Sequence, residues 1–430
     1  MAGSGRRPIN APPGSPQATG IPWLGLGILL VLVLILGAFV AHFFFGVGSD
    51  GDDGPDQVGP VTASELTESA REARTGGRSG GALGYPAAAT RNTTRISGTD
   101  PVDLSIASAF AAYPTSGPGA PPAAVTIADS KDWQAGVAAA TLTAKPVGAP
   151  ILLAPSGNLS ESGTEALGQL NPIGSPTTGE HKVFTVGRVA PPGGFTPKRI
   201  TGSDPATLAV NLAKLKAELN GGPPNAFVVL SDSAPEYAGP AASWLARSGD
   251  VVLYTGTEEI PKVTLDFLKQ KSNADVPVFV LGPPEVVSAE VVKQLGKASK
   301  SVERIEGKDP VSAAVELVKF YSDGFGWNLN TPGHGYAISR ADRPMDAVAA
   351  SALSTGGTWP AMLLTDSATE LPSVVHEYLL DVKPGYQTDP TVALYNHVWI
   401  IGDESLIDVN QQARVDDAAE LAIVETSTAP

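Results

Sequence analysis

The chain has 430 residues, with 29 Lys and Arg against 44 Asp and Glu, a formal charge of −15 and no cysteine. The missing cysteine excludes a disulfide scaffold, a thiol nucleophile, an iron–sulfur cluster and a Cys-based zinc site. A chain this long can bury a large core without disulfides, and its acidic balance argues against non-specific nucleic-acid binding, which needs a basic surface.

The first predicted element is a membrane span. From Trp23 to Val47 run 25 residues without Asp, Glu, Lys or Arg, enough to cross a bilayer with some tilt. Trp23 suits one interface and His42-Phe43-Phe44-Phe45 the other. Arg6 and Arg7 precede the span, and Asp50, Asp52 and Asp53 follow it. The positive-inside rule then makes residues 1–20 a cytoplasmic tail, 21–47 a single-pass helix and signal anchor, and the remainder extracytoplasmic. A cleaved signal peptide is the alternative; its apolar core is usually about 7–15 residues, and no clear A-x-A site follows here. The external part holds 27 basic against 44 acidic residues, a net −17. Bulk charge will not hold it to an anionic polymer, so such contact must be local or use a bridging cation. Residues 48–94 are rich in Gly, Ser, Thr and Asp and read as a flexible tether. As a coil it spans on the order of 40 Å, with one short polar helix expected over 63–74.

A phrase then repeats three times. Arg95-Ile96-Ser97-Gly98-Thr99-Asp100-Pro101 recurs as Arg199-Ile200-Thr201-Gly202-Ser203-Asp204-Pro205 and as Arg304-Ile305-Glu306-Gly307-Lys308-Asp309-Pro310, at spacings of 104 and 105. Such a period dictates architecture. Asp followed by Pro starts a helix, the carboxylate capping free N–H groups and Pro suiting the first helical position; the Gly before it supplies a permissive turn. Asp100, Asp204 and Asp309 are therefore expected as structural helix caps. Apolar residues follow at helical spacing, as in Leu208, Leu212, Leu215 and Leu219.

Each repeat continues with three short apolar runs separated by helical stretches. The second runs are Ile151-Leu152-Leu153-Ala154, Val251-Val252-Leu253-Tyr254 and Met362-Leu363-Leu364-Thr365, and the third runs end at Gly187, Gly282 and Gly402. Wholly apolar strands between helices imply parallel sheets buried on both faces. The fold class is α/β, with three similar tandem modules over 95–198, 199–303 and 304–410, and a C-terminal tail over 411–430.

On these residues the sequence resembles the cell wall binding repeat 2 family of Gram-positive surface proteins. That repeat opens R-x-x-G-x-D-R-Y-x-T-A, carries a P-I-L-L strand and reaches a strand ending in Gly-Gly. Pro150-Ile151-Leu152-Leu153 matches directly, and Pro360-Ala361-Met362-Leu363-Leu364 matches with an insertion. The resemblance covers about residues 95–410. It implies three α/β modules about a pseudo-threefold axis and the binding of a cell-envelope polymer. The family's Arg-Tyr after Asp is replaced by Pro101-Val102, Pro205-Ala206 and Pro310-Val311, and the second Gly by Arg188, Pro283 or Asp403. The architecture should survive these departures, whereas ligand specificity need not.

Catalytic signatures are incomplete. His376-Glu377-Tyr378-Leu379-Leu380 begins like H-E-x-x-H but lacks the second His. Gly77-Arg78-Ser79-Gly80-Gly81 fits G-x-S-x-G yet lies in the tether, without the strand and helix a nucleophile elbow needs. No nucleotide fingerprint follows a strand, so neither a metal nor another cofactor is expected. His334 and His397 both fall in the third repeat and could approach each other.

The binding candidates are Arg95, Arg199 and Arg304, which either brace turns or line grooves for a phosphate or carboxylate of a polymer. Trp327 is the fourth, in the unmatched loop Asp323-Gly324-Phe325-Gly326-Trp327-Asn328-Leu329-Asn330. Its ring either stacks on sugars or tucks against its own module. The expectation is a membrane-anchored, non-catalytic module that binds an envelope polymer such as a wall polysaccharide. The alternatives are a scaffold for a protein partner and, third, a wall hydrolase such as an amidase.

Overall fold

The computed structural model describes residues 88–114, 120–356 and 359–423. The expected cytoplasmic tail, membrane span and helix over 63–74 lie outside the described residues. Among those that are described, no helix is long and apolar enough to cross a membrane.

The chain begins with β1 (Ala88–Ala89), β2 (Thr93–Ile96) and α1 (Pro101–Ala112). The first α/β set comprises β3 (Val125–Asp129), α2 (Trp133–Ala140), β4 (Ile151–Ala154), α3 (Glu161–Leu170), β5 (Val183–Val186) and β6 (Lys198–Ile200). The second set is α4 (Pro205–Asn220), β7 (Phe227–Ser231), α5 (Ala238–Ser248), β8 (Val251–Thr255), α6 (Lys262–Leu268), β9 (Val278–Leu281), α7 (Ala289–Leu295) and β10 (Val302–Ile305). The third is α8 (Pro310–Lys319), β11 (Gly335–Arg340), α9 (Pro344–Ala349), β12 (Ala361–Thr365), α10 (Ser373–Asp381), β13 (Gly385–Tyr386), β14 (His397–Ile401), α11 (Val409–Ala419) and β15 (Ala422–Ile423).

The runs form three parallel ladders of matching order: β4-β3-β5-β6, β8-β7-β9-β10 and β12-β11-β14-β2. Strand β1 adds an antiparallel edge to β2, and β13 pairs with β15. The sheets are one strand out of register with the sequence repeat. The Arg-Ile strand of each phrase completes the sheet before it: β6 closes the first and β10 the second. Strand β2 closes the third sheet, pairing with β14 about 300 residues away. The expected boundaries shift accordingly. Part of the tether is strand, and residues 411–419 belong to helix α11 rather than to a tail.

The caps explain why helices start where they do. Asp100 accepts from the Val102 N–H at 2.7 Å, Asp204 from Thr207 N–H at 2.7 Å and Asp309 from Ser312 N–H at 2.8 Å, each with Pro at the first helical position. The glycine of the phrase has a different reason from the expected one. A Cβ on Gly202 would lie 2.3 Å from Leu208 N, and one on Gly307 2.1 Å from Ala313 N. These positions need space rather than backbone freedom, because the turn folds directly onto the helix it starts.

Helices α2, α5 and α9, one from each set, pack on one another. Their small residues allow close approach: a Cβ on Gly239 would meet Ala347 Cβ at 2.8 Å. One hydrophobic core runs through all three sets, including Leu208, Leu212, Leu245, Val280, Val348 and Ile400. A second, smaller core lies in the first set, where Val125, Ile127 and Leu152 meet Leu167 and Leu170 of α3.

Candidate functional site

Open parallel sheets bind ligands outside the carboxyl ends of their strands, where neighbouring connections leave in opposite directions. Each of the three sheets has such a point beside its first strand, and each is bridged by the chain's own backbone. The Ala190 N–H donates to Gly157 O, Ser288 N–H to Thr257 O and Asp408 N–H to Ala368 O, all at 2.8 Å. In each sheet this bond ties the loop after the second strand to the segment after the third.

The three repeat arginines have unequal fates. Arg304 donates from Nη1 to Gly282 O and from Nη2 to Val287 O, both at 2.6 Å. Arg95 donates from Nη1 to Gly402 O at 2.8 Å, and from Nε and Nη2 to Gln412 Oε1. It is 2 % exposed, and burial pulls its pKa below the usual guanidinium value. Both arginines fasten the turn after a third strand, which is the bracing role of the two expected for them. Arg199 is exposed and makes no hydrogen bond or ion pair among the described residues. The third strand of the first set is followed by the Pro/Gly loop over 188–197 instead of a helix. The carbonyls that hold Arg304 and Arg95 have no counterpart bonded to Arg199.

The unmatched loop is tied at its end to its own set, where the Asn328 N–H donates to Phe320 O and the Leu329 N–H to Val318 O, both at 3.0 Å, but Trp327 does not tuck there. The loop crosses to the second set, where Phe325 stacks on Phe279 at 3.9 Å and Trp327 meets Trp244 edge to face at 5.5 Å. This leaves a cleft of about 360 Å³ between the Asp323–Trp327 segment and Asn225, Trp244, Arg247, Ser248 and Asp250. Asp250 is buried, accepting from Ala226 N–H at 3.0 Å and Trp244 Nε1–H at 2.9 Å. Burial raises its pKa, and these bonds and Lys216 oppose the rise. Lys216 is 1 % exposed, its Nζ has no hydrogen-bond partner among the described residues, and burial pulls its pKa down to about 8. Outside the cleft the Arg247 guanidinium lies 4.9 Å over the ring of Trp359, which is half exposed.

The histidines do not assemble a metal site; among the described residues no group of three potential ligands exists. His376 lies on α10 beside an open hollow of about 560 Å³ with Asp366, Glu370 and Arg414. His334 and His397 do come together, since the His397 N–H donates to His334 O at 3.1 Å. Burial lowers both imidazole pKa values. Sequence reasoning singled out Trp327 but missed Trp244, Arg247, Asn225 and Trp359. No local pattern marks them: Trp244, Arg247 and Asn225 come from another repeat, Trp359 lies well beyond Trp327 in its own, and they come together only through the crossing loop and the packing of the sets.

No family model matches the chain, and no curated protein does. Solved structures share its fold. Cwp6 from Clostridium difficile superimposes with a TM-score of 0.61 at 16% identity, over 76% of this chain and 48% of that one. Cwp8 from the same organism gives 0.58 at 16% identity, over 83% of this chain and 55% of that one. The chain spans about half the length of each of these two proteins. At this identity the likeness is one of fold alone.

Proposed function

We propose that this protein is a non-catalytic, membrane-anchored module that binds a cell-envelope polymer outside the cytoplasmic membrane. The observation that carries the reading is the pairing of a frame shared with the cell wall proteins Cwp6 and Cwp8 with sheet ends closed by their own backbone. A frame of this kind offers its outer surfaces to a long ligand. Arg199, exposed and without a hydrogen bond or ion pair among the described residues, is the repeat arginine available to an anionic group on such a polymer. The same reading arranges the three sets about a pseudo-threefold axis. The closure of β2 on β14 and the mutual packing of α2, α5 and α9 support that arrangement.

The test is retention of the purified chain on isolated cell wall, with and without its attached secondary polymers. Retention lost only when the polymers are stripped is the expected result. Retention by neither wall preparation favours a protein-binding scaffold. One observation supports that second reading: Val392, Leu394 and Tyr395 expose apolar surface on a single loop, at 79 %, 63 % and 56 %.

A further inference from the structure

The cleft beside α5 combines features that no other part of the described surface brings together. Trp327 is half-buried and lines the cleft. Trp244 lines it too, edge to face with Trp327 and with its N–H spent on Asp250. Three polar groups at the rim are exposed: the Arg247 guanidinium, the Asn225 carboxamide and the Asp323 carboxylate. Arg247 and Asn225 make no side-chain hydrogen bond among the described residues, and Asp323 has only a 3.9 Å approach from Lys300. Trp359, with Arg247 stacked over it, extends the aromatic surface beyond the cleft.

An aromatic ring beside planar hydrogen-bonding groups fits the C–H face and the equatorial polar groups of a pyranose. At about 360 Å³ the cleft lies at the lower end of the range of small-ligand pockets. Its charge selects further. The charges around it balance, Asp323 and Asp250 against Arg247, Lys300 and Lys216, on a protein whose external part is strongly acidic, so the cleft offers no basic surface to a polyanion. An acetamido group would find partners there: Arg247 or Asn225 can donate to its carbonyl, Asp323 can accept from its N–H, and an indole can take its methyl. We propose that this cleft binds an uncharged glycan of N-acetylated hexosamine units, gripped between the second set and the crossing loop of the third. The assignment rests on the envelope reading only for the source of the glycan.

The full chain in detergent is titrated with chitotetraose, read by tryptophan fluorescence and calorimetry. Saturable binding that changes little between low and high salt is expected. Trp327→Ala should weaken it at least about tenfold, as loss of a central aromatic anchor does. Because Trp327→Ala could loosen the loop, Arg247→Ala and Asn225→Ala, both on the exposed rim, are measured beside it with melting curves, and each should weaken binding several-fold. No saturable binding by the unaltered chain, or unchanged binding in Arg247→Ala and Asn225→Ala, overturns the proposal. Wall retention without chitotetraose binding also overturns it and leaves the envelope reading standing. Chitotetraose binding without wall retention supports the cleft and sinks the envelope reading.

Discussion

Arg95 and Gln412 stand 317 residues apart in sequence and meet in the interior, where Arg95 Nε and Nη2 both donate to Gln412 Oε1 at 3.0 and 2.7 Å. The pair joins β2, at the start of the described chain, to α11, near its end. Gln412 in turn donates to Thr93 Oγ1 at 2.8 Å. Replacing Arg95 by Ala leaves two buried acceptors, Gln412 Oε1 and Gly402 O, without their donor. Each unsatisfied group costs about 1–3 kcal/mol. Urea unfolding should show a clear loss of stability, larger than for Arg304→Ala, whose side chain is 14 % exposed. Equal losses would mean that the interior closure contributes no more than the bond to the second-set turn.

Arg199 should behave in the opposite way. With no partner to lose, Arg199→Ala should leave the melting temperature nearly unchanged. If Arg199 touches an anionic group of the polymer, the variant should reduce wall retention, with the difference shrinking as salt rises. Retention identical to that of the unaltered chain at low salt would remove Arg199 from the binding surface.

Within α4 the cap and the core can be ranked. Asp204→Ala should cost about 0.5–2 kcal/mol, the usual worth of an N-cap. Leu212 is 1 % exposed, and truncating a buried leucine to Ala costs about 2–5 kcal/mol. Denaturant midpoints of the two variants give the order, and a costlier Asp204→Ala would contradict the packing of this helix.

Lys216 makes stability depend on pH in a definite direction. Its folded-state pKa is lowered from 10.5 to about 8 by burial. Below pH 8 the amine is charged in both states and the folded protein bears the desolvation cost. Between about 8 and 10.5 the unfolded chain binds more protons than the folded one, so stability rises with pH, by at most about 3 kcal/mol. Lys216→Met should remove this rise and stabilise the protein at pH 7. Asp250 opposes the gain as the neighbouring buried acid, so the comparison is made in the same background with Asp250 intact. A pH profile that Lys216→Met leaves unchanged would place the titration elsewhere.

The anchor has its own test. Protease added to protoplasts should digest the region after residue 48 and spare the N-terminal tail. A mature protein beginning after Val47 would show a cleaved signal instead.

Much of the fold was legible in the sequence because its signals are local. The three Asp-Pro caps, the apolar strand runs and the repeat period of 104 and 105 residues each act through neighbours within one turn or one strand. They announced three α/β sets and the start of each phrase helix. The role of the phrase glycine was legible only as a turn; its lack of space for a Cβ depends on how the turn meets Leu208 or Ala313. Trp327 stood out as lying in an unmatched loop, whereas Trp244 and Arg247 sit on an ordinary helix of another repeat.

By itself, then, the sequence determined the number of α/β sets, the parallel character of their sheets and where their helices begin, since caps and periodicity need no distant partner. Only the tertiary structure decided which sheet each phrase strand joins, and with that the fate of the repeat arginines. Three arginines share one motif, yet Arg95 is buried, Arg304 is fastened to backbone and Arg199 is free. The difference comes from the segment after the neighbouring third strand: a capped helix beside Arg95 and Arg304, and a proline-rich loop beside Arg199. Strand pairing and burial are set by surfaces that meet across hundreds of residues, and a motif a few residues long carries no record of them.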